Sequence, residues 1–140
     1  RTIDRLKGKE VPEEIDVIVK LDLDAFIPTS YIPHGRQRID IYRRMAQALR
    51  QEEIADIAAE MKDRFGSPPE EALNLIEIAG LKIWARNERI SRITLQRDGK
   101  LIAERAGRKL MADGRFPRLR KTGPRTIARE IKRSLAKVIR

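Results

Sequence analysis

Eleven residues, Glu60-Met61-Lys62-Asp63-Arg64-Phe65-Gly66-Ser67-Pro68-Pro69-Glu70, constrain the fold of this chain most, because they stop one helix and start the next. Gly66 suits the left-handed backbone that closes a helix, and Arg64 sets a positive charge near that helix's carbonyl end. Ser67 with Glu70 three residues later spells a capping box, with Pro68 at the first helical position, where a missing N–H costs nothing. The local chemistry predicts two helices meeting at a corner. An ordinary helix-helix corner accounts for all of these signals, so a function for the stretch must rest on other observations.

The helix before the corner spans about Glu52 to Phe65. Ile54, Ile57, Ala58, Met61 and Phe65 form its buried stripe, and Asp56, Glu60 and Asp63 lie off it as an exposed acidic edge. Asp63 has basic neighbours in Lys62 and Arg64, so a purely local interaction also fits it. After the corner, Pro68 to about Arg89 is apolar on most sides and belongs in the middle of a domain. Gly80 within it permits close approach of another element, and Trp84 continues the apolar surface.

Upstream, Asp16 to Ala25 alternates strictly, with Val17, Val19, Leu21, Leu23 and Ala25 on one face, and predicts a strand. Asp22 and Asp24 share the other face, a place for a metal or an acid-base pair, although a solvated strand face suits them better. Pro28 and Pro33 make Phe26 to Pro33 a rigid, packed connector whose aromatics cover the core edge. A helix from about Arg36 to Arg50 then shows Ile39, Tyr42, Met45, Ala46 and Leu49 on one stripe. Downstream, Asp98-Gly99 between two apolar runs predicts a hairpin, Ile90 to Gln96 with Lys100 to Glu104. Residues 107–116 carry little periodicity and suggest a short helix or loop, followed by an extended piece around Arg118 to Arg120. Thr126 to Ile139 is an amphipathic helix with Ile127, Ile131, Leu135 and Val138 or Ile139 inward and Arg129, Lys132, Arg133 and Lys137 outward. The expected fold is a single α+β domain over residues 16–140, several helices packed against a small, largely antiparallel sheet, with residues 1–15 as a lead-in.

Charge is divided unevenly along the 140 residues. The net charge is +10, yet residues 1–104 carry 18 Lys/Arg against 19 Asp/Glu, and residues 105–140 carry 13 against 2. A basic C-terminal third points to a polyanionic partner, nucleic acid above all. A solvated basic face fits a charge run without interleaved aromatics equally well. There is no cysteine, no apolar run near the roughly 20 residues that span a bilayer, and no apolar core of a secretory signal at Arg1 to Arg5. The expectation is a soluble, cytoplasmic protein, and Arg1 at the start suggests a fragment of a longer chain.

Catalytic signatures are missing. Gly99-Lys100 is followed by Leu101, and Thr94 stands where a phosphate-cradling loop needs its first glycine. No G-x-S-x-G elbow, H-E-x-x-H or dinucleotide fingerprint occurs, and the lone His34 has no serine-acid arrangement beside it. An enzyme acting through Asp22 and Asp24 would need a bound metal that nothing local helps to hold.

Four phrases in register carry a resemblance: Leu6-Lys7-Gly8-Lys9; Asp24 to Pro33; Arg36 to Arg38 with Tyr42-Arg43-Arg44; and Asp63-Arg64-Phe65-Gly66 before Pro69-Glu70-Glu71. Over about residues 5–90 the chain resembles the C-terminal domain of bacterial transcription-repair coupling factors. The resemblance implies a regulatory, non-catalytic module of an ATP-driven DNA translocase that acts on stalled RNA polymerase in nucleotide excision repair. ATP and magnesium would then belong to the parent motor, and the domain itself would carry no cofactor. It further implies docking on the UvrB-like module of the same chain, masking UvrA recruitment and restraining the motor, with residues 1–15 leading in from the translocase. Glu60 and Asp63 match the positions that supply acidic docking contacts. The alternative is a sequence-independent nucleic-acid-binding accessory domain in which Arg118, Arg120, Lys121, Arg125, Arg129, Lys132 and Arg133 contact phosphates.

Overall fold

Three helices between the first two strands give the chain its shape, and each begins where the sequence changes from loop chemistry to apolar periodicity. A computed structural model describes residues 16–120 and 126–139. The order is β1 (Ile18–Lys20), α1 (Gly35–Gln47), α2 (Gln51–Phe65), α3 (Glu70–Asn87), β2 (Ile90–Leu95), β3 (Leu101–Arg105), β4 (Arg108–Lys109) and α4 (Ile127–Ile139). The strands form one mixed sheet in the order β1-β2-β3-β4. β1 runs parallel to β2, with Val19 opposite Ile93, and the β2-β3-β4 pairs are antiparallel. The described residues are therefore an α+β fold of four helices and a four-stranded mixed sheet, in which α3 and α4 pack on the sheet and α1 and α2 pack on α3. The lead-in 1–15, Lys121 and Arg125 lie outside the described residues.

Two apolar clusters hold these layers. One gathers Ile90, Ile93, Leu101 and Ala103 of the sheet with Ile127, Ile131 and Leu135 of α4. The other gathers Ile41, Met45, Ile54, Ile57 and Met61 of α1 and α2 with Ile27 and Ile32 of the connector. α3 belongs to both: Leu81 and Ala85 face the sheet cluster, and Ala72 and Ile83 face the helical one. Its nearly all-round apolarity follows from this central position. Gly80 is buried where Gln51, at the start of α2, donates from Nε2 to the Gly80 carbonyl at 2.9 Å, so the close approach expected there is made.

Several local expectations are corrected. The alternation from Asp16 to Ala25 does set which side chains turn inward, but the hydrogen-bonded ladder covers only Ile18–Lys20. Its register with β2 ends at Lys20 opposite Thr94, and Asp22 and Asp24 lie in a bent segment beyond it. Asp22 sits at the surface 3.4 Å from Arg97, and among the described residues no three metal-ligating side chains converge.

The buried stripe of α1 is Ile41 and Met45, continued by Ala48 just past its end; of the expected stripe only Met45 is buried, and Ile39 and Leu49 are each 62% exposed. α1 carries two apolar arcs, and the cluster against α2 selects the one ending in Ala48. Tyr42 lies on the outer arc, where its hydroxyl accepts the Ile27 N–H at 2.8 Å. In the connector, Ile27 and Ile32 are buried as expected of a packed segment, but Phe26 points outward, 45% exposed.

The capping box is absent. α3 begins two residues later than the Ser67 signal suggests, with Pro69 at the N-cap and no side-chain cap. A residue before proline is pushed out of the helical region, so Pro68 cannot open a helix ahead of Pro69. The Asp98-Gly99 hairpin forms as expected, with Gly99 at φ 95° and its N–H on the Gln96 carbonyl at 2.9 Å. The segment expected as short helix or loop instead contains β4 and a tight turn in which Ala112 and Arg115 exchange both backbone hydrogen bonds at 2.9 Å. The extended piece after it runs beside the hairpin: Leu101 N–H reaches the Pro117 carbonyl at 2.9 Å, and Leu119 N–H reaches that of Gly99 at 2.8 Å.

Candidate functional site

The corner at the end of α2 is built from three directions. Within α2, Ile54, Ile57 and Met61 turn inward at spacings of three and four, which leaves Glu60 and Asp63 on the outer side. From α1, the Arg44 guanidinium donates to both oxygens of Glu60, Nη2 to Oε1 at 2.7 Å and Nη1 to Oε2 at 3.1 Å. From the next turn of α2, Arg64 Nη1 donates to Oε2 at 2.8 Å. Asp40 joins the network 3.6 Å from Arg44 and 3.0 Å from Arg43.

Two arginines on one carboxylate lower its proton affinity. Hydrogen bonds from Arg44 first, and from Arg64 second, hold the Glu60 carboxyl down to about 2 against an ordinary 4.5. Glu60 is thus only part of an open acidic edge: its side chain is 31% exposed, and its charge is engaged in tying α1 to α2. Asp63, one turn on, is exposed and has no ion-pair partner among the described residues. The expected pair is therefore divided, with Glu60 an internal tie and Asp63 the unpaired carboxylate.

The connector closes the corner. The Tyr31 hydroxyl donates to the Gly66 carbonyl at 2.7 Å, an acceptor that the end of the helix leaves open, with the Met61 carbonyl at 3.1 Å as its second acceptor. Its desolvation raises the phenol's pKa. The Tyr31 ring meets Phe65 edge-on at 6.0 Å, and the Arg64 guanidinium lies 4.9 Å from the Phe65 centroid. Gly66 has the positive φ expected, 91°, but with ψ at −176° it is extended rather than left-handed helical, which sends the chain straight into Pro68. No local sequence pattern assigns the roles that Tyr31 and Arg44 play here. The available signals were an aromatic hydroxyl set between two prolines, and an arginine one turn after Asp40.

The basic candidates are dispersed. Arg118 is pinned to the hairpin turn, donating to the Asp98 carbonyl at 2.9 Å with the Asp98 carboxylate at 3.4 Å. Arg120 is exposed nearby. Arg129 and Arg133 are exposed on α4, Arg133 lying 3.6 Å from Glu130, and Lys132 is half-buried.

A family model, the TRCF domain, matches residues 21–112, about two thirds of the sequence. The chain belongs to the TRCF domain family. It is 40% identical over 95 residues to the transcription-repair-coupling factor of Bacillus subtilis (strain 168), covering 68% of this chain and 8% of that protein. The same identity holds over 94 residues with the transcription-repair-coupling factor of Staphylococcus aureus (strain USA300), 66% of this chain and 8% of that one. The match thus spans about a twelfth of the length of these relatives. A crystal structure of the C-terminal domain of a transcription-repair coupling factor superposes with a TM-score of 0.61 at 26% identity, covering 70% of this chain and 62% of that one. The TRCF match begins after the Leu6 to Lys9 phrase and reaches past the hairpin to Ala112, further than the sequence phrases extend. Glu60, Asp63 and the whole Tyr31 corner lie inside it. Arg118, Arg120 and all of α4 lie outside it.

Proposed function

We propose that this TRCF domain is a non-catalytic regulatory module of a transcription-repair coupling factor. It docks on the UvrB-like module of the same protein through the outer side of the α2 corner, masks the surface that recruits UvrA, and restrains the ATP-driven DNA translocase. The observation that carries the docking surface is the unpaired Asp63 on a corner held rigid by Tyr31, Phe65 and the Arg44-Glu60-Arg64 network. A fixed carboxylate with no internal partner is available to a cation across an interface, where it adds specificity and a modest affinity. Glu60 contributes by aiming the corner, and its remaining exposure leaves it at the rim of such a contact.

Substitution separates the two roles. Asp63→Lys is expected to weaken capture of this domain by the immobilised UvrB-like module about tenfold, with unfolding unchanged, because the side chain supports nothing internal. UvrA in solution is expected to compete with the wild-type domain for that module. Retained capture by a folded Asp63→Lys protein rules the carboxylate out, and failure of UvrA to compete rules out masking.

A further inference from the structure

A second surface lies beyond the TRCF match. The turn at residues 112–115 and the segment that follows it face the last turns of α4 across an open cavity of about 280 Å³. Arg115, Arg118 and Lys137 line it with Ser134 and Phe116, and among the described residues no carboxylate does. Lys100 brings a fourth cation, its Nζ 5.4 Å from the Phe116 centroid. Arg118 is oriented by Asp98, whereas Arg115 and Lys137 have no ion-pair partner among the described residues.

The backbone that carries these groups is fixed. Asp113 at φ 54° and Gly114 at φ 72° form a two-residue turn with positive φ at both positions, closed by the Ala112-Arg115 hydrogen bonds. Residues 117–119 are tied to the hairpin through Leu101 and Gly99. From Lys137 the exposed cations Arg133 and Arg129 recede along α4 at four-residue steps, roughly 6 Å apart along the axis. An excess of cations over carboxylates attracts phosphate even with Arg118 paired to Asp98 and Arg133 lying 3.6 Å from Glu130. The half-buried Phe116 ring with Lys100 over it supplies an aromatic surface for a base, and Arg133 and Arg129 continue the path for a chain of phosphates.

We propose that this cavity is a binding site for single-stranded nucleic acid. Phosphates lie against Arg115, Arg118 and Lys137, and a base packs on Phe116. The site is independent of docking through Asp63, which lies on α2.

The test is fluorescence anisotropy of the intact chain with a fluorescein-labelled oligothymidine of about 20 nucleotides, titrated at roughly 50 and 200 mM salt. Wild type is expected to bind at the lower salt. The double variant Arg115→Gln/Lys137→Gln is expected to bind at least tenfold more weakly, with the log-log salt slope reduced by about 1.4, two single-strand phosphate contacts. Arg36→Gln/Lys62→Gln removes the same charge from exposed positions on α1 and α2 and is expected to retain wild-type binding. Phe116→Ala is expected to lose roughly fivefold or more for oligothymidine while leaving competition by inorganic polyphosphate unchanged. Far-UV circular dichroism confirms that each variant is folded. No binding at low salt, or an equal loss in the two double variants, overturns the site; equal losses of oligothymidine and polyphosphate in Phe116→Ala overturn base packing.

Discussion

Glu60 shows how one carboxylate serves the fold and leaves the surface to its neighbour. Its depressed pKa means the folded state binds the ionised form more tightly than the unfolded chain does. The sign follows: the contribution is complete above an ordinary 4.5 and is lost as pH falls toward about 2. Glu60→Gln keeps the size and removes the charge, so it is expected to lower unfolding free energy by about 1 kcal/mol near neutral pH, as a networked surface pair does. The gap between wild type and Glu60→Gln is expected to close between pH 4.5 and about 2. Urea unfolding of both proteins near pH 7 and near pH 3 measures it, and a gap that does not narrow in acid means Arg44 and Arg64 do not act through the carboxylate.

At the scale of elements, the end of α2 is set by Gly66 and Tyr31, and the start of α3 by two prolines. Gly66→Ala would hold alanine at φ 91°, where a Cβ meets no neighbouring atom, so the cost is wholly in the backbone, about 1–3 kcal/mol. Ser67→Ala is expected to change stability by less than about 0.5 kcal/mol, since the hydroxyl caps nothing. A loss of about 1 kcal/mol or more on thermal or urea unfolding of Ser67→Ala would mean that the capping box forms after all. What the sequence discloses differs between elements for physical reasons. α2 is legible because Ile54, Ile57 and Met61 are its single arc of large, buried apolar side chains, and the opposite side holds only charges, a glutamine and small alanines. α1 is not, because Ile39, Tyr42 and Leu49 compete with Ile41, Met45 and Ala48, and only packing against α2 decides between them. Asp113-Gly114 carries the same turn dipeptide as Asp98-Gly99, but without flanking alternation it gave no hairpin signal. Asp63 could be placed from helical spacing alone. Arg44 reaches Glu60 across sixteen residues, and no local pattern announces it.

Across the whole molecule, α4 lies outside the TRCF match yet completes the core, because Ile127, Ile131 and Leu135 cover the sheet residues Ile90, Ile93 and Leu101. α3 then passes the consequences of any loss there to the helical cluster, since Leu81 and Ile83 on the same turn face opposite cores. Leu135 is fully buried, so Leu135→Ala is expected to cost about 2–5 kcal/mol through lost burial and the cavity left behind. The sole tryptophan, Trp84, packs at the sheet cluster, whereas α1 and α2 add their helical signal from the other cluster. If α3 couples the two, the Trp84 fluorescence and the far-UV circular dichroism of Leu135→Ala must fall together on heating, both at a lower midpoint than wild type. Tryptophan signal lost well ahead of helical signal would instead show that the sheet and α4 unfold as a unit separate from α1 and α2. Coincident loss would place the basic outer side of α4 and the docking corner of α2 on one cooperative body, even though only the corner lies within the TRCF match.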